Sequence, residues 1–285
     1  MASKDSPPAT QPGKHPGDLI NRGVKRQSPS GTATFIGLRS LDPLLQYQLL
    51  FRGLGPALLA RLGVSAVPAS SSALAGLPTA LGLPLPHLLL LGMAAGSSAK
   101  QIFWLLDIAQ EYFPPSSAAA VSTYNTLVNS VNSLLLLAGA TSAALSTPAL
   151  SVPLAGGSGG GDGRWLLPLP VVVGALMYAV GITIETVSEI QRKRFKEQPG
   201  NEGKVCTEGL WRFARRVNYT GYTLWRTGFT LAAGGWIPGL ITALFNVWNF
   251  MKSTAMLDDY MARKYGNEWD RVRKEVRWAV VPGIY

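Results

Sequence analysis

Residues 211–226, WRFARRVNYTGYTLWR, place four arginines and five aromatic side chains in sixteen positions. Guanidinium groups form paired hydrogen bonds with phosphate or carboxylate, and a phenol hydroxyl can donate or accept a proton. Three kinds of chemistry are open to such a segment: gripping a nucleic acid, coating a membrane surface, or lining a pocket for an anionic cofactor.

Other polar groups interrupt apolar runs at helical spacing. Asn125, Asn129 and Asn132 recur at i, i+4 and i+7, with Tyr124, Ser122 and Ser133 nearby, so one helix face is polar. That face serves either interhelical hydrogen bonds or the wall of a substrate pocket. Lys100 and Asp107 lie seven residues apart in the preceding apolar run. Each costs at least ~2.5 kcal/mol at the centre of a bilayer unless it is paired or snorkels to the interface. Lys100, the deeper of the two, is the candidate pocket residue. Glu185 and Glu189 stand at i, i+4 just before the basic run QRKRFK. They read as a salt-bridged helix end or as the polar edge of a ligand site, with Glu185 the candidate pocket carboxylate.

Other chemistries find little support. Cys206 is the single cysteine, so there is no internal disulfide framework and no CxxC pair. His15 lies in a polar tail and His87 beside a proline, which gives no Ser/His/Asp triad and no expected metal site. GGSGGGDG at 156–163 lacks the GK[ST] ending and the preceding strand of a phosphate-binding loop, and reads as a flexible linker.

The elements that must position these groups are membrane helices. The chain is 47% hydrophobic and 15% charged, against about 25% charged in soluble domains. A helix needs roughly 20 mostly apolar residues to cross a bilayer. Six segments qualify in varying degree, near 44–63, 86–107, 118–143, 165–187, 222–235 and 236–255. The fourth is the clearest. The first is the weakest, interrupted by Arg52 and Arg61, and the fifth is short enough to be read with the sixth as a hairpin. The expected fold is all-α, a multi-span bundle closed by a C-terminal helical hairpin.

The formal charge of +10 is concentrated at 190–217 and after residue 256. The positive-inside rule puts both segments, and with six crossings both termini, in the cytosol. The basic residues of 211–226 thus have a topological reason to be there, and a nucleic-acid partner is not expected. Residues 1–31, rich in Pro, Ser and Gly, read as a disordered leader. Residues 32–160 form an N-terminal set of membrane helices, and 161–285 a C-terminal membrane domain.

The ordered blocks GLWRFARRVNYTGYTLWR, an apolar hairpin, and LDDYMARKYGNEWDRVRKEVRWAVVPGIY resemble the C-terminal half of the steroid 5-alpha-reductase and sterol C14-reductase superfamily, also known as domain of unknown function 1295. That superfamily shows G-[LW]-W-x-x-[SA]-R-H-x-N-Y-x-G-[DE], then a helical hairpin with an acidic position, then K-[YF]-G-x-x-[WY]. The resemblance covers about residues 180–285, including the approach IETVSEIQRKRFKEQPGNEGKVCTEGLW.

The resemblance implies an endoplasmic-reticulum membrane enzyme that uses NADPH to reduce a carbon–carbon double bond in an apolar, steroid-like or enone lipid. It implies a cofactor shell of Arg215, Arg216, Asn218, Tyr222, Asp258 and Tyr265, with Tyr219 as the catalytic hydroxyl. The pocket residues Asn125, Asn129, Asn132, Lys100 and Glu185 would face the lipid. Three departures stand out: Arg216 replaces the superfamily's histidine, Tyr222 the acid after Gly221, and Asp258 the usual glutamate. Two other functions remain open. One is a non-catalytic member acting as lipid binder or scaffold. The other is an S-adenosylmethionine-dependent carboxyl methyltransferase of the related isoprenylcysteine branch, although Val217 occupies that branch's proline position.

Overall fold

The computed structural model describes residues 27–68, 83–109, 111–153 and 164–283, so most of the expected leader and the GGSGGGDG segment lie outside the described residues. In chain order the elements are α1 (Pro29–Phe51), α2 (Leu54–Arg61), α3 (Leu85–Phe103) continued by a π turn (Trp104–Ile108), and α4 (Pro115–Leu137). An antiparallel hairpin of β1 (Ala149–Pro153) and β2 (Arg164–Pro168) follows, then α5 (Leu169–Glu197), α6 (Val217–Gly234), α7 (Trp236–Tyr265) and α8 (Asn267–Glu275). Prolines in the first turn open α1, α3, α4 and α5. There the missing N–H costs nothing and the fixed φ already suits a helix.

The architecture is mostly helical, as expected, with several corrections. Residues 165–168, expected in the fourth span, pair with 149–152 as a strand, and the helix starts only at Leu169. The first span was set at 44–63, but the helix runs Pro29–Phe51, which includes the last residues of the expected leader. It breaks at Gly53, whose φ of 82° suits glycine alone. The hairpin is present and longer than expected. Its first arm, α6, has 18 residues, about 27 Å at 1.5 Å per residue, and Gly235 at φ 77° turns the chain into α7.

Among the described residues two helices are long and apolar enough to cross a membrane, Leu85–Ile108 and Leu169–Glu197. The count of six is not reached because polar side chains dilute the other helices. α7 nevertheless leaves an apolar face bare, with Trp236, Ile237, Leu240, Ile241, Leu244, Phe245 and Trp248 all at least half exposed.

The tightest seam joins α5 and α6. Gly174 and Gly181 on α5 meet Gly228 and Gly221 on α6, each pair seven residues apart along its helix. A Cβ on Gly181 would lie 2.4 Å from the Trp225 backbone nitrogen, and one on Gly221 2.5 Å from that of Glu185. Small residues let the two backbones touch, which sets Glu185 and Glu189 directly opposite the first turns of α6. Trp225 and Phe229, both almost fully buried, continue the seam into the core, where Tyr178 meets each edge-on at 6.0 Å.

On the other side α1 packs on α3 and α4 through a polar stripe. Arg39 and Asp42 pair at 3.1 Å with both side chains wholly buried. Asp42 also accepts from Gln46 at 2.9 Å and Asn129 at 2.6 Å, and Arg39 donates to Ser98 at 2.6 Å.

Candidate functional site

The first turn of α6 is held from both ends. The amides of Arg215 and Arg216 donate to the carbonyls of Trp278 and Ala279 at 2.9 and 2.7 Å, and Thr220 Oγ1 donates to the Val280 carbonyl. The tail beyond α8 thereby pins the loop that carries the arginines. Trp211 ties this loop to the flank of α5 by donating to the Ser188 carbonyl at 2.7 Å.

Two compartments meet at this turn. The first is a cleft of about 320 Å³ between α6, α7 and the facing helices, lined by Tyr124, Glu185, Asn218, Tyr219, Tyr222, Asn246, Asn249 and Phe250. Tyr219 stacks on Phe250 with ring centroids 4.2 Å apart and planes at 16°, and Tyr222 meets the same ring edge-on at 5.4 Å. Asn218 donates to Glu189 at 2.9 Å, which in turn pairs with Arg192. Glu185 is tied to Lys100 and accepts from Trp225 Nε1 at 2.6 Å.

The second compartment is cationic. Arg215 and Arg216 lie 3.8 and 3.9 Å from the Asp258 carboxylate, ion pairs too long to be hydrogen bonds. Both guanidinium groups flank the buried Trp269 ring, at 6.0 and 5.6 Å from its centroid. Arg215 Nη1 is committed to the carbonyls of Val276 and Arg277. Arg215 Nε, Arg216 Nε and Nη2, Asn218 Oδ1 and Asp258 Oδ1 are buried without a hydrogen-bond partner. Burial pushes the Arg216 guanidinium below its ordinary pKa, while the Tyr219 phenol and the Asp258 carboxylate act to raise it. Buried donors of this kind cost free energy unless a ligand satisfies them.

The sequence-predicted residues therefore divide. Asn218, Tyr219, Tyr222 and Glu185 line the cleft, while Arg215, Arg216 and Asp258 form the adjoining cationic compartment. Tyr265 accepts from Lys196 at 3.3 Å and is not among the cleft-lining residues. Lys100 reaches the site through Glu185. Asn125 and Asn129 turn to Arg226, and Asn129 to Asp42 as well, while Asn132 is buried with its Nδ2 unpartnered. That α4 face is interhelical at Asn125 and Asn129. Asp107 pairs with Lys193 across α3 and α5 at 2.9 Å.

Sequence reasoning missed Arg39, Asp42 and Gln46, whose i, i+3, i+7 spacing straddles the start of the span expected at 44–63, with Arg39 and Asp42 outside it. It also missed Arg226 as a buried group, and the α7 residues Asn246, Asn249 and Phe250, whose i, i+3, i+4 spacing was equally visible.

The family described as "Protein of unknown function (DUF1295)" matches residues 122–275. The match starts inside α4, well before residue 180, so the asparagine face belongs to the shared region. The "Probable O-methyltransferase ustE" of Ustilaginoidea virens is 35% identical over 266 residues, 90% of this chain and 89% of that protein. The Delta(14)-sterol reductase of Neurospora crassa is 28% identical over 162 residues, 40% of this chain and 33% of that protein. The 7-dehydrocholesterol reductase of Danio rerio is 27% identical over 88 residues, 30% of this chain and 18% of that protein. The chain thus spans a third or less of these two reductases and nearly all of ustE. With more than half its length matched by the family and nine tenths of it aligned with one relative, the chain belongs to the DUF1295 family.

Proposed function

We propose that this protein is an integral membrane enzyme of the endoplasmic reticulum that reduces a carbon–carbon double bond in an apolar, steroid-like or enone lipid with NADPH. Six crossings, with both termini and the two basic segments in the cytosol, complete the reading, as does the division at about residue 160. The observation that carries it is the set of buried, partnerless guanidinium N–H groups of Arg215 and Arg216 beside an aromatic cleft. Several sterol reductases align with about two fifths of the chain, which supports the reaction type.

The residues present fit the cofactor. Arg215 and Arg216 offer buried donors to phosphate oxygens, and Asn218 Oδ1 and Asp258 Oδ1 offer acceptors to hydroxyl or amide groups. NADPH, when bound, supplies a hydride. The chain's own share is to orient the acceptor and keep water out. Reduction adds a hydride to one carbon and a proton to the other, and Tyr219, one of three tyrosines lining the cleft, is the residue we assign to give that proton. Arg216 favours the phenolate left behind, which eases the transfer.

A second reading is favoured by one observation, the alignment with ustE over nine tenths of the chain. It makes the protein an S-adenosylmethionine-dependent O-methyltransferase, with the Arg216 and Asp258 pair holding the carboxylate and ammonium of the methionine moiety. Purified protein in nanodiscs, titrated with each cofactor and monitored by thermal shift, separates the two. NADPH stabilisation lost in Arg215→Ala and Arg216→Ala supports the reductase. Stabilisation by S-adenosylmethionine alone overturns it, and a shift with neither cofactor leaves a lipid-binding scaffold.

A further inference from the structure

Arg226 is a buried cation with no ion-pair partner among the described residues. It is 3% exposed and sits in the middle of α6. Its guanidinium donates to Asn125 Oδ1, to Asn129 Oδ1 at 3.4 Å, and through Nε to the Tyr222 hydroxyl at 3.2 Å. Its remaining neighbours are the ring faces of Trp225 at 4.3 Å, Tyr222 at 5.5 Å and Tyr124 at 6.0 Å. The nearby carboxylates are committed elsewhere, Glu185 to Lys100 and Trp225, and Asp42 to Arg39, Gln46 and Asn129. A charge held this way, by amides, a phenol oxygen and aromatic faces with no carboxylate, leaves a positive field in a buried interior.

That field opens onto the cleft through two phenols, Tyr222 and Tyr124, both of which line it. Tyr222 oxygen accepts from Arg226, so neither phenol proton is used in that contact. The phenol O–H groups of Tyr222 and Tyr124 are thus donors at the cleft wall, suited to a group bound there. A donor polarised by a cation behind it is suited to an oxygen that carries or gains negative charge.

We propose that Arg226, Tyr222 and Tyr124 form a recognition site for an oxygen of the substrate that is anionic or becomes so, as in a phenolate, an enol or the carbonyl of a conjugated ketone. The inference rests on the cleft being the substrate's place, as in the reading above, and it narrows the substrate class to lipids bearing such an oxygen. Under reduction, hydride addition from NADPH to the β-carbon of the ketone moves the electron pair onto this oxygen, and the enolate so formed takes a proton at the α-carbon from the Tyr219 hydroxyl assigned above. Tyr222 and Arg226 are then specificity-determining residues, separate from the Arg215 and Arg216 compartment.

The test uses the full chain in nanodiscs and a phenolic steroid with a naphthol ring, whose absorption distinguishes phenol from phenolate, alongside its methyl ether. Wild type should bind the phenol roughly ten- to a hundredfold more tightly than the ether, the span expected of one charge-assisted hydrogen bond, and should shift the bound spectrum toward phenolate. Tyr222→Phe, which keeps the ring packing on Phe250 and Trp225, should bring the two ligands to within about threefold. Arg226→Gln should abolish the spectral shift while retaining part of the preference. Equal binding of phenol and ether by the wild type, or a preference unchanged in Tyr222→Phe, overturns the proposal. Cofactor titration in the same nanodiscs is read separately, so absent NADPH binding with preserved phenol preference sinks the reductase reading and leaves this site standing.

Discussion

Arg216 Nη2 stops 3.9 Å short of Asp258 Oδ1, and both atoms are buried without a hydrogen-bond partner. The gap is a place where a ligand can bond to both sides at once. For NADPH the arginine attracts phosphate while the carboxylate repels it. Arg216→Ala should therefore weaken NADPH binding by at least about tenfold, or ~1.4 kcal/mol, and Asp258→Asn should leave it equal or tighter. For S-adenosylmethionine both changes should weaken binding, because the aspartate would hold the ammonium group. Isothermal titration of the two variants with each cofactor reads the difference.

The Gly181 contact with the Trp225 backbone makes a second prediction. A methyl group there must push α5 and α6 apart. Gly181→Ala should cost about 1–3 kcal/mol, seen as a lower melting temperature. Gly92 in α3 has open space around its Cβ position, so Gly92→Ala should be neutral or stabilising by up to about 1 kcal/mol.

The Arg39 and Asp42 pair, with both side chains fully buried, should behave as one unit. Removing either partner leaves an unpaired charge, and Asp42→Ala or Arg39→Met alone should destabilise by about 3–5 kcal/mol. The double variant Arg39→Met with Asp42→Leu should cost less than the sum, which a double-mutant cycle in denaturant measures.

Cys206 is buried in the cluster formed by Phe195, Trp211, Ala214 and Val217. Burial raises its thiol pKa, outweighing the Glu208 backbone hydrogen bond and the charges of Lys196 and Arg192, which lower it. A raised value means that the stability it contributes is complete below the unfolded thiol pKa of about 8.5 and is lost as pH rises through the folded value. Alkylation by iodoacetamide should be slower than for an exposed thiol at pH 7, and its pH profile should be displaced upward.

Arg215 and Arg216 bond through their amides to Trp278 and Ala279, which requires the loop after α5 and the C-terminal tail to share one side of the bilayer. In a Cys206→Ser background, Lys204→Cys and Lys274→Cys should both react with an impermeant maleimide from the same side of sealed microsomes. Labelling from opposite sides would rule out the arrangement.

Much of the helical frame was legible because it rests on a local signal, the apolar runs bounded by charged or polar stretches. The residues of the α6 first turn were also readable, since motif spacing fixes which side chains share an end of a helix. The pairing of β1 with β2 was not, because an apolar stretch such as WLLP fits a strand or a helix and only its partner decides. Nor was the role of Asn129, whose face looked the same whether it addressed a ligand or Asp42. Arg226 was hidden for the opposite reason. In a basic segment it looked like one more rim cation, and only the depth of α6 between α4 and α5 shows it buried.

The two walls of the cleft are held unequally. α6 is locked to α5 backbone to backbone, whereas α7 makes its main contacts with α6 and α8 and leaves its far side bare. Under the function proposed above, lateral entry of a lipid would need only a swing of α7 about the Gly235 elbow, parting Phe250 from Tyr219. The girth of acceptable substrates is then set by how far that single rod leans outward, and bulky side chains grafted along its bare flank would alter loading while leaving the arginine compartment as it is.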